Sequence, residues 1–561
     1  MSLTDTRELV AAREDDGFAD LAADSRTVAI WTLVSRVTGL GRVVAIAAVL
    51  GPTYFANLYQ TLNTLPNILH VMLVGQLISA LLVPALVSHL DSGDRSGAGR
   101  LANGFLGTIM LVATAVIGLC LLVAPIVLDA ITSVVADTGA RLDQRLLGWP
   151  LLVMVLPQII LYGVIATAVA VQQAHRCFAL PAAAPALENI GTIAVMAAAA
   201  VLYGTGNDVQ DIGTAQLVLI GTGSTVAVGI HALAQWWGAR RVGIVLIPGS
   251  GWKSPEVRRI IRLALPSSGY AALNSGTLFG LLVVAGAIPG GAVAFQMGLN
   301  FFSLPLALGA LPAAAALLPR LSRGFDQGNV AAIGTIYRDS LKLAAFVALP
   351  ASFAFLCLST ALAQFVSFGE MSTPTGLALV AAAAGSLGPG IIGEASLIVA
   401  TSAAYACRDA VSPFRAMLCR ALIAFAGMAC AMIAFDGVAI IWALGLSFSA
   451  ATLISAAYLH WRQVRHCHLP WAPDPVRLMG ELAASAIAVV PGWVILIVLG
   501  SAPSEPGRNF LVALAAIAVS GVTYLAAQWF RGSREFTALF AVMDRSRPIA
   551  ANKAAPEWSG K

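Results

Sequence analysis

Residues 103–127 read NGFLGTIMLVATAVIGLCLLVAPIV, a run with no charged side chain. About 20 apolar residues suffice for one helix to cross the roughly 30 Å hydrocarbon core of a bilayer. The run is apolar on every side and lacks the alternation of a β-strand, which argues against a soluble surface helix and against a β-barrel strand. We therefore predict a membrane-spanning helix here.

Similar stretches recur along the whole chain and predict an all-α polytopic membrane protein of about 14 transmembrane helices. The predicted spans are 27–51, 57–90, 103–127, 147–172, 178–203, 213–236, 262–286, 291–317, 341–367, 375–405, 416–435, 437–461, 478–500 and 509–530. Only 11% of the 561 residues are charged and 58% are hydrophobic, whereas soluble domains carry roughly 25% charged residues. This composition excludes a cytosolic enzyme, a nucleic-acid-binding module and a disordered scaffold.

Lysine and arginine concentrate in every second loop, which predicts that both termini are cytoplasmic. The basic set is Arg95, Arg100, Arg176, Arg240, Arg241, Lys253, Arg258, Arg259, Arg262, Arg320, Arg323, Arg338, Lys342, Arg408, Arg415, Arg420, Arg462, Arg465 and Arg477. The opposite loops carry only Arg141, Arg145 and Arg508. The expected localisation is therefore within a membrane, in contact with its lipids; the family resemblance given below implies that this is a bacterial inner membrane.

The predicted domain organisation follows from the same loops. A cytoplasmic tail (1–26) precedes an N-terminal lobe of six spans (27–236), and a basic linker (237–261) leads to a C-terminal lobe of spans 7–12 (262–461). Spans 13 and 14 with their preceding loop (462–530) and a cytoplasmic tail (531–561) complete the chain. Two halves of similar size are typical of a transporter that works by rocking one half against the other.

Two arginines in the first span, Arg36 and Arg42, mark a candidate anion site. A charge at the bilayer centre costs at least about 2.5–3.5 kcal/mol, so such residues usually face a cavity or another helix. Six positions on a helix leave the two about 120° apart, and a bend at the intervening glycines would bring both into one cavity. Fork-shaped, permanently charged donors suit a pyrophosphate. The alternative is that Arg36 pairs with a buried carboxylate while Arg42 reaches an interface.

The second predicted span carries polar side chains at membrane depth, among them Asn57, Asn67 and His70. Asn63, Asn67 and His70 share one helix face. His70 is either a weak anion or proton site or a histidine bonded to a backbone carbonyl. Further along the chain, Glu188 and Glu394 are candidates for ion coupling, or partners for Arg36 or Arg42.

Signatures of an enzyme or motor are missing from the sequence. There is no G-x-x-x-x-G-K-[ST], HExxH or GxSxG string, and the seven cysteines form neither a CxxC pair nor a cluster with metal-ligand spacing. We expect a transporter without cofactor or metal, without catalytic residues and without nucleic-acid partners.

Six strings, in the expected order, resemble the MurJ/MviN flippases of the multidrug/oligosaccharidyl-lipid/polysaccharide exporter superfamily. They are SRVTGLGR (35–42), LPNIL (65–69), SALLVP (79–84), APALENI (184–190), LLPRLSR (317–323) and AYACRDAVSPF (404–414). The resemblance implies two lobes around a central cationic cavity and transport of the polyprenyl-pyrophosphate-linked precursor lipid II to the outer leaflet. It also implies that Arg36 and Arg42 bind the pyrophosphate, with Asn57, Asn67 and His70 lining the site.

The chain departs from the family pattern at several charged positions. An acidic residue, an arginine and a glutamate of the family's second helix are Asn57, His70 and Gly75 here, and the stretch 295–305 lacks the arginine of the eighth span. The cavity is therefore expected to be less cationic, and another lipid-linked glycan is an alternative substrate. Two further alternatives are a drug or cation exporter centred on Glu188 or Glu394, and a membrane scaffold that recruits cell-wall synthesis proteins.

Overall fold

A computed structural model describes residues 30–74, 81–327, 330–466, 475–500, 505–533 and 535–537. Both predicted tails lie outside the described residues almost entirely, as does Gly75. Within the described part the secondary structure is helical. Six of the seven cysteines lie in this part, and Cys467 lies outside it.

Nineteen α-helices and two short 3-10 helices, Gly251–Lys253 and Gly369–Ser372, have their bounds within the described residues. The first nine are α1 (Ile30–Leu50), α2 (Tyr54–Val74), α3 (Val83–Asp91), α4 (Arg95–Thr132), α5 (Thr138–Val155), α6 (Gln158–Ala174), α7 (Ala179–Ala183), α8 (Pro185–Tyr203) and α9 (Thr214–Arg241). The other ten are α10 (Pro255–Ala285), α11 (Gly291–Leu308), α12 (Ala310–Asp326), α13 (Val330–Cys357), α14 (Ser359–Val366), α15 (Pro374–Ala406), α16 (Val411–Ala434), α17 (Val438–His466), α18 (Pro475–Leu499) and α19 (Pro506–Phe530).

The prediction of about 14 membrane helices is confirmed. Twelve helical stretches of the described residues are long and apolar enough to cross a membrane. The remaining two predicted spans, 57–90 and 262–286, correspond to α2 with α3 and to α10. Large apolar side chains such as Leu122, Val201 and Ile433 are 78%, 85% and 87% exposed, and such a surface is stable only against lipid.

Several helix ends have simple chemical causes. The Asp94 carboxylate accepts a hydrogen bond from the Gly97 amide at 2.7 Å and begins α4, which satisfies an amide at the helix start. The Thr373 hydroxyl does the same for Gly376 at the start of α15. The predicted linker is shorter than expected, because α9 continues to Arg241 and α10 already begins at Pro255.

The helices form two lobes, α1–α9 and α10–α19. In the second lobe α15 is central and packs against α11, α12, α13 and α17, while α2 contacts α10 and α11 across the boundary between lobes. The core of the first lobe continues into the second through residues such as Tyr59 and Phe295, both fully buried. The lobes therefore meet along α2, α10 and α11.

One end of the bundle, formed by loops 51–53, 204–213, 286–290 and 367–373, is closed by contacts between lobes; we refer to it as the Gly51 end. The Gly290 amide donates to the Thr53 carbonyl at 3.0 Å, and the Thr205 hydroxyl donates to the Glu370 carboxylate at 2.6 Å. Gly51 and Gly290 have φ of +65° and +75°, a region that L side chains avoid.

Candidate substrate cavity

A cavity of about 180 Å³ lies where α1, α2, α6, α8 and α9 of the first lobe meet α11 of the second. Six carboxamide side chains dominate its wall: Gln60, Asn63, Asn67, Gln158, Gln296 and Asn300. The two charged groups of the wall are Arg42 and Glu188. The remaining residues of the wall are Val43, Ile46, Thr64, Tyr162, Thr192, Ser224 and Val228. The wall is thus strongly polar and nearly neutral overall.

Arg42 pairs with Glu188 in the cavity wall. Arg42 Nη1 lies 3.1 Å from Glu188 Oε1, and the Arg42 side chain is 32% exposed against 12% for Glu188. The buried Nε of Arg42 has no hydrogen-bond partner. The guanidinium therefore reaches the cavity with part of its donor capacity unused, although arginine can offer five N–H donors.

Glu188 is held by three donors from three different helices. Besides Arg42 of α1, the hydroxyl of Tyr162 on α6 donates to Oε1 at 3.2 Å. Nδ1 of His231 on α9 lies 3.0 Å from Oε2. A carboxylate that accepts from donors on three helices is held in a defined position.

Hydrogen bonds from Asn189 hold α1 against α8 near Arg42. Asn189 Nδ2 donates to the Ser35 carbonyl and to the Thr38 hydroxyl, each at 3.2 Å. A Cβ at Gly39 would stand in ordinary van der Waals contact with Asn189, 3.4 Å from Nδ2. The helix α1 continues through both glycines, from Ile30 to Leu50.

The structure does not bring Arg36 and Arg42 into one cavity. Arg36 is exposed, is absent from the cavity wall, and forms no ion pair among the residues that the structure describes. Without a bend at Gly39 and Gly41, six helix positions separate the two guanidinium groups by about 120° and about 9 Å of rise.

The other candidates on α2 occupy three different surroundings. Asn67 lines the cavity and its side chain hydrogen-bonds the Tyr162 hydroxyl. His70 lies outside the wall, with its ring centroid 5.4 Å from that of Tyr162. Asn57 is buried at the Gly51 end, where its amide nitrogen donates to the carbonyls of Gly286 and Ile288.

Glu394, the second predicted ion-coupling carboxylate, belongs to a separate site in the second lobe. Its Oε2 lies 2.9 Å from Nη1 of Arg420, and the Arg420 side chain is only 2% exposed. The Arg420 guanidinium also lies over the ring of Phe448, 4.6 Å from its centroid. Arg420 was expected in a cytoplasmic loop; that expectation is wrong, because α16 already begins at Val411 and buries it.

Sequence reasoning missed several wall residues and partners of Glu188. Gln158 and Tyr162, His231 and Gln235, and Gln296 and Asn300 each lie four positions apart inside an apolar span. This spacing places both members of a pair on one helix face, and buried polar groups need partners. Polar pairs at this spacing are the sequence signal by which these residues could have been found. Among the described residues no group of His, Cys, Asp and Glu could hold a metal ion.

Two lobes of membrane helices with a polar cavity between them, closed at one end, define a polytopic membrane transporter of the alternating-access type. The family model for the lipid II flippase MurJ matches residues 46–515. The chain belongs to this family.

Individual relatives and a solved structure agree with the family model. A probable lipid II flippase MurJ from Rhizobium tropici is 24% identical over 94% of this chain and 97% of its own length. A probable lipid II flippase MurJ from Rhizobium meliloti (strain 1021) is 29% identical over 59% of this chain and 61% of its own length. A structure described as lipid II flippase MurJ in an inward closed conformation superimposes with a TM-score of 0.68 at 16% identity, over 92% of this chain and 99% of that one.

Proposed function

We propose that the protein is a flippase that carries lipid II, a polyprenyl-pyrophosphate-linked cell-wall precursor, from the inner to the outer leaflet. The observation that carries this proposal, together with family membership, is Arg42: a guanidinium exposed in a polar cavity at membrane depth. In such a low-dielectric site a charge-assisted, forked contact to a phosphate is strong.

The carboxamide wall suits the head group attached to the pyrophosphate. Side-chain amides offer both donors and acceptors, which match the hydroxyl and amide groups of a glycan with a peptide. Gln296 and Asn300 come from α11, whereas Gln60, Asn63 and Asn67 come from α2. A head group bound here therefore contacts both lobes, and its binding favours a particular arrangement of them.

Closure at the Gly51 end supports an assignment of the side from which substrate enters in the described conformation. We place this end outside the cytoplasm, because the loops near it contain few basic residues, and both termini inside, in a bacterial inner membrane. The described conformation then admits substrate from the cytoplasmic side. Arg36 is exposed about 9 Å nearer that side, and we assign it the first contact with the pyrophosphate on the way to Arg42.

Transport requires no catalytic residue and no bound cofactor in this account. The chain lacks a nucleotide-binding string, so an ion gradient, the membrane potential or consumption of the product drives the cycle. A cation exporter centred on Glu188 or Glu394 is disfavoured, because each carboxylate already faces an arginine at 3.1 Å and 2.9 Å respectively. Cell-wall synthesis proteins are the natural partners of a flippase, since they consume its product.

Depletion of the protein in its native host tests the proposed function. We expect lipid II to accumulate on the cytoplasmic leaflet within a few generations, measured by its protection from a membrane-impermeant probe. Accumulation of a different polyprenyl-linked glycan would assign the alternative substrate. Normal levels and sidedness of every polyprenyl-linked intermediate would contradict a flippase.

A further inference from the structure

A network of side-chain amides behind Glu188 orients His231. Gln172 Nε2 donates to Gln235 Oε1 at 2.8 Å, so the amide nitrogen of Gln235 points the other way, 3.5 Å from His231 Nε2. An amide nitrogen only donates. In this arrangement Nε2 of His231 accepts from Gln235, and Nδ1 carries the hydrogen that is directed at Glu188.

A proton that enters this cluster therefore binds to Glu188 rather than to His231. A second hydrogen on His231 Nε2 would face the Gln235 amide, which Gln172 and the Leu180 carbonyl hold in place. Protonation of Glu188, by contrast, does not place an O–H group against an N–H group whose orientation is fixed by other hydrogen bonds. The neutral acid would still accept from His231 Nδ1.

The charges in the cavity create a conflict when a diphosphate binds. Arg42 and Glu188 are the two charged groups of the cavity wall, and their charges cancel in the empty cavity. A diphosphate diester brings two further negative charges next to an ionised carboxylate that is 12% exposed. Like charges in a low-dielectric site raise the proton affinity of the carboxylate.

We propose that binding of the diphosphate to Arg42 is coupled to uptake of one proton by Glu188. In the empty cavity Glu188 is the anion that pairs with Arg42. When the diphosphate replaces Glu188 as the partner of Arg42, Glu188 takes up a proton from the aqueous solution and an O–H bond forms on its carboxylate. Tyr162 and His231 keep the neutral acid in position. This inference rests on the proposed function and adds to it a proton that accompanies the substrate.

Other ionisable groups near Glu188 come from every helix around it, and we assign the proton to none of them. They are Arg42 of α1, Tyr59 and His70 of α2, Tyr162 of α6 and His231 of α9. The Tyr59 hydroxyl lies 2.8 Å from Ser224 Oγ and the Tyr162 hydroxyl donates to Glu188. His70 stands behind Tyr162 and does not touch the carboxylate.

Coupling of this kind is reciprocal, because each ligand changes the affinity of the other by the same factor. While Glu188 is ionised in the empty cavity, the affinity for lipid II rises as the pH falls, by at most about tenfold per pH unit for one proton. The diphosphate diester itself has no proton that titrates near neutral pH. Proton uptake on binding therefore reports on the protein.

Calorimetric titration of the full-length protein in detergent with lipid II, at pH 6–8 in buffers of different ionisation enthalpy, counts the protons taken up. We expect close to one proton for the wild type and for the variants His70→Gln, His231→Gln and Asp339→Asn. The last is a control, because it removes an exposed carboxylate that lies outside the cavity. Glu188→Gln is expected to take up none and to bind about tenfold more tightly at pH 8, because Arg42 is then always available.

Different failures have different meanings. Binding without proton uptake by the wild type, or undiminished uptake in Glu188→Gln, overturns the coupling while the flippase proposal stands. Loss of uptake in His231→Gln overturns the assignment to Glu188. Absence of lipid II binding by the wild type at every pH overturns the proposed function and the coupling together.

Discussion

At the scale of single residues, the two buried arginine–carboxylate pairs differ in their access to the cavity. Arg42 is 32% exposed and faces the cavity, whereas Arg420 is 2% exposed and is enclosed by α15, α16 and the ring of Phe448. Exposure lets Arg42 exchange its carboxylate for another anion. Arg420 lacks that freedom, so we assign its pair with Glu394 to the stability of the second lobe.

This difference predicts the effect of breaking the enclosed pair. Arg420→Gln leaves Glu394 buried without its cation, and we expect a loss of about 3–5 kcal/mol in stability. The measurement is the thermal unfolding of the purified variant in detergent. Arg323→Gln, at an exposed position on α12, is the matched control and should unfold like the wild type. An Arg420→Gln protein as stable as the control would show that the pair contributes little.

The sequence identifies Arg42, Glu188 and Glu394 as charged residues at membrane depth, but it identifies neither the buried Arg420 nor all of the partners. Arg42 and Glu188 were recognised because a charge in an apolar span needs an explanation. Their pairing was one of several alternatives, since the 146 positions between them leave spacing uninformative. Asn57 is predicted as a site residue because it is polar and lies in an apolar span. In the structure its side-chain amide instead hydrogen-bonds the backbone between the end of α10 and the start of α11.

At the scale of helices, the Gly51 end depends on backbone approaching backbone. The Gly290 amide bonds Thr53, and a Cβ at Gly290 would overlap the Cα of Pro52. A Cβ at Gly51 would lie 2.6 Å from that of Glu370. Glycine is needed at both positions, because a side chain would hold the two lobes apart.

Gly290→Ala should therefore weaken closure of the Gly51 end. The left-handed backbone alone costs an alanine about 1–2 kcal/mol. Gly437→Ala isolates that cost, since Gly437 also has a positive φ of +56° but a Cβ there would meet nothing within 4 Å. We expect a cysteine at Thr53 to react faster with an impermeant maleimide in Gly290→Ala than in Gly437→Ala. Equal rates would contradict a role of this contact in closure.

Helix positions were predictable from hydropathy, whereas helix interruptions were not. The span predicted at 291–317 consists of two helices, because the helix is interrupted at Gly309, between α11 and α12. The string AYACRDAVSPF, used for the family resemblance, has a structural reason: the Asp409 carboxylate accepts hydrogen bonds from the amides of Val411 and Ser412 at the start of α16. Such roles depend on backbone geometry that a single sequence does not display.

At the scale of the whole molecule, alternating access requires the two lobes to separate at the Gly51 end. Thr205 and Glu370 join the lobes there, while Asn207 and Gln216 form a hydrogen bond of 3.3 Å within the first lobe. In the proposed orientation, with the Gly51 end facing outward, lipid II leaves only after the first contact breaks. The second contact need not change during the cycle.

Cross-linking distinguishes these two contacts. In a background without native cysteines, we expect a short cleavable reagent joining Thr205→Cys to Glu370→Cys to stop transport, and cleavage of the reagent to restore it. The same reagent between Asn207→Cys and Gln216→Cys should leave transport unchanged. Full activity of the protein cross-linked between lobes would rule out opening at this end.

The lobes and their number of spans could be predicted from composition and the alternation of basic loops. The neutral, carboxamide-rich character of the cavity could be anticipated only in part, from the missing charge in the stretch 295–305, which contributes Gln296 and Asn300 to the wall. The wall itself draws on six helices of both lobes. Only the folded packing shows which polar faces meet.

The most direct test of the account is the rate at which Arg42→Ala moves lipid II across reconstituted liposomes. With incorporation matched to the wild type, we predict a rate lower by about tenfold to a hundredfold, as expected for loss of a charged hydrogen bond. Arg323→Ala should flip lipid II at the wild-type rate. An Arg42→Ala protein that flips lipid II as fast as the wild type would contradict the central role of this guanidinium.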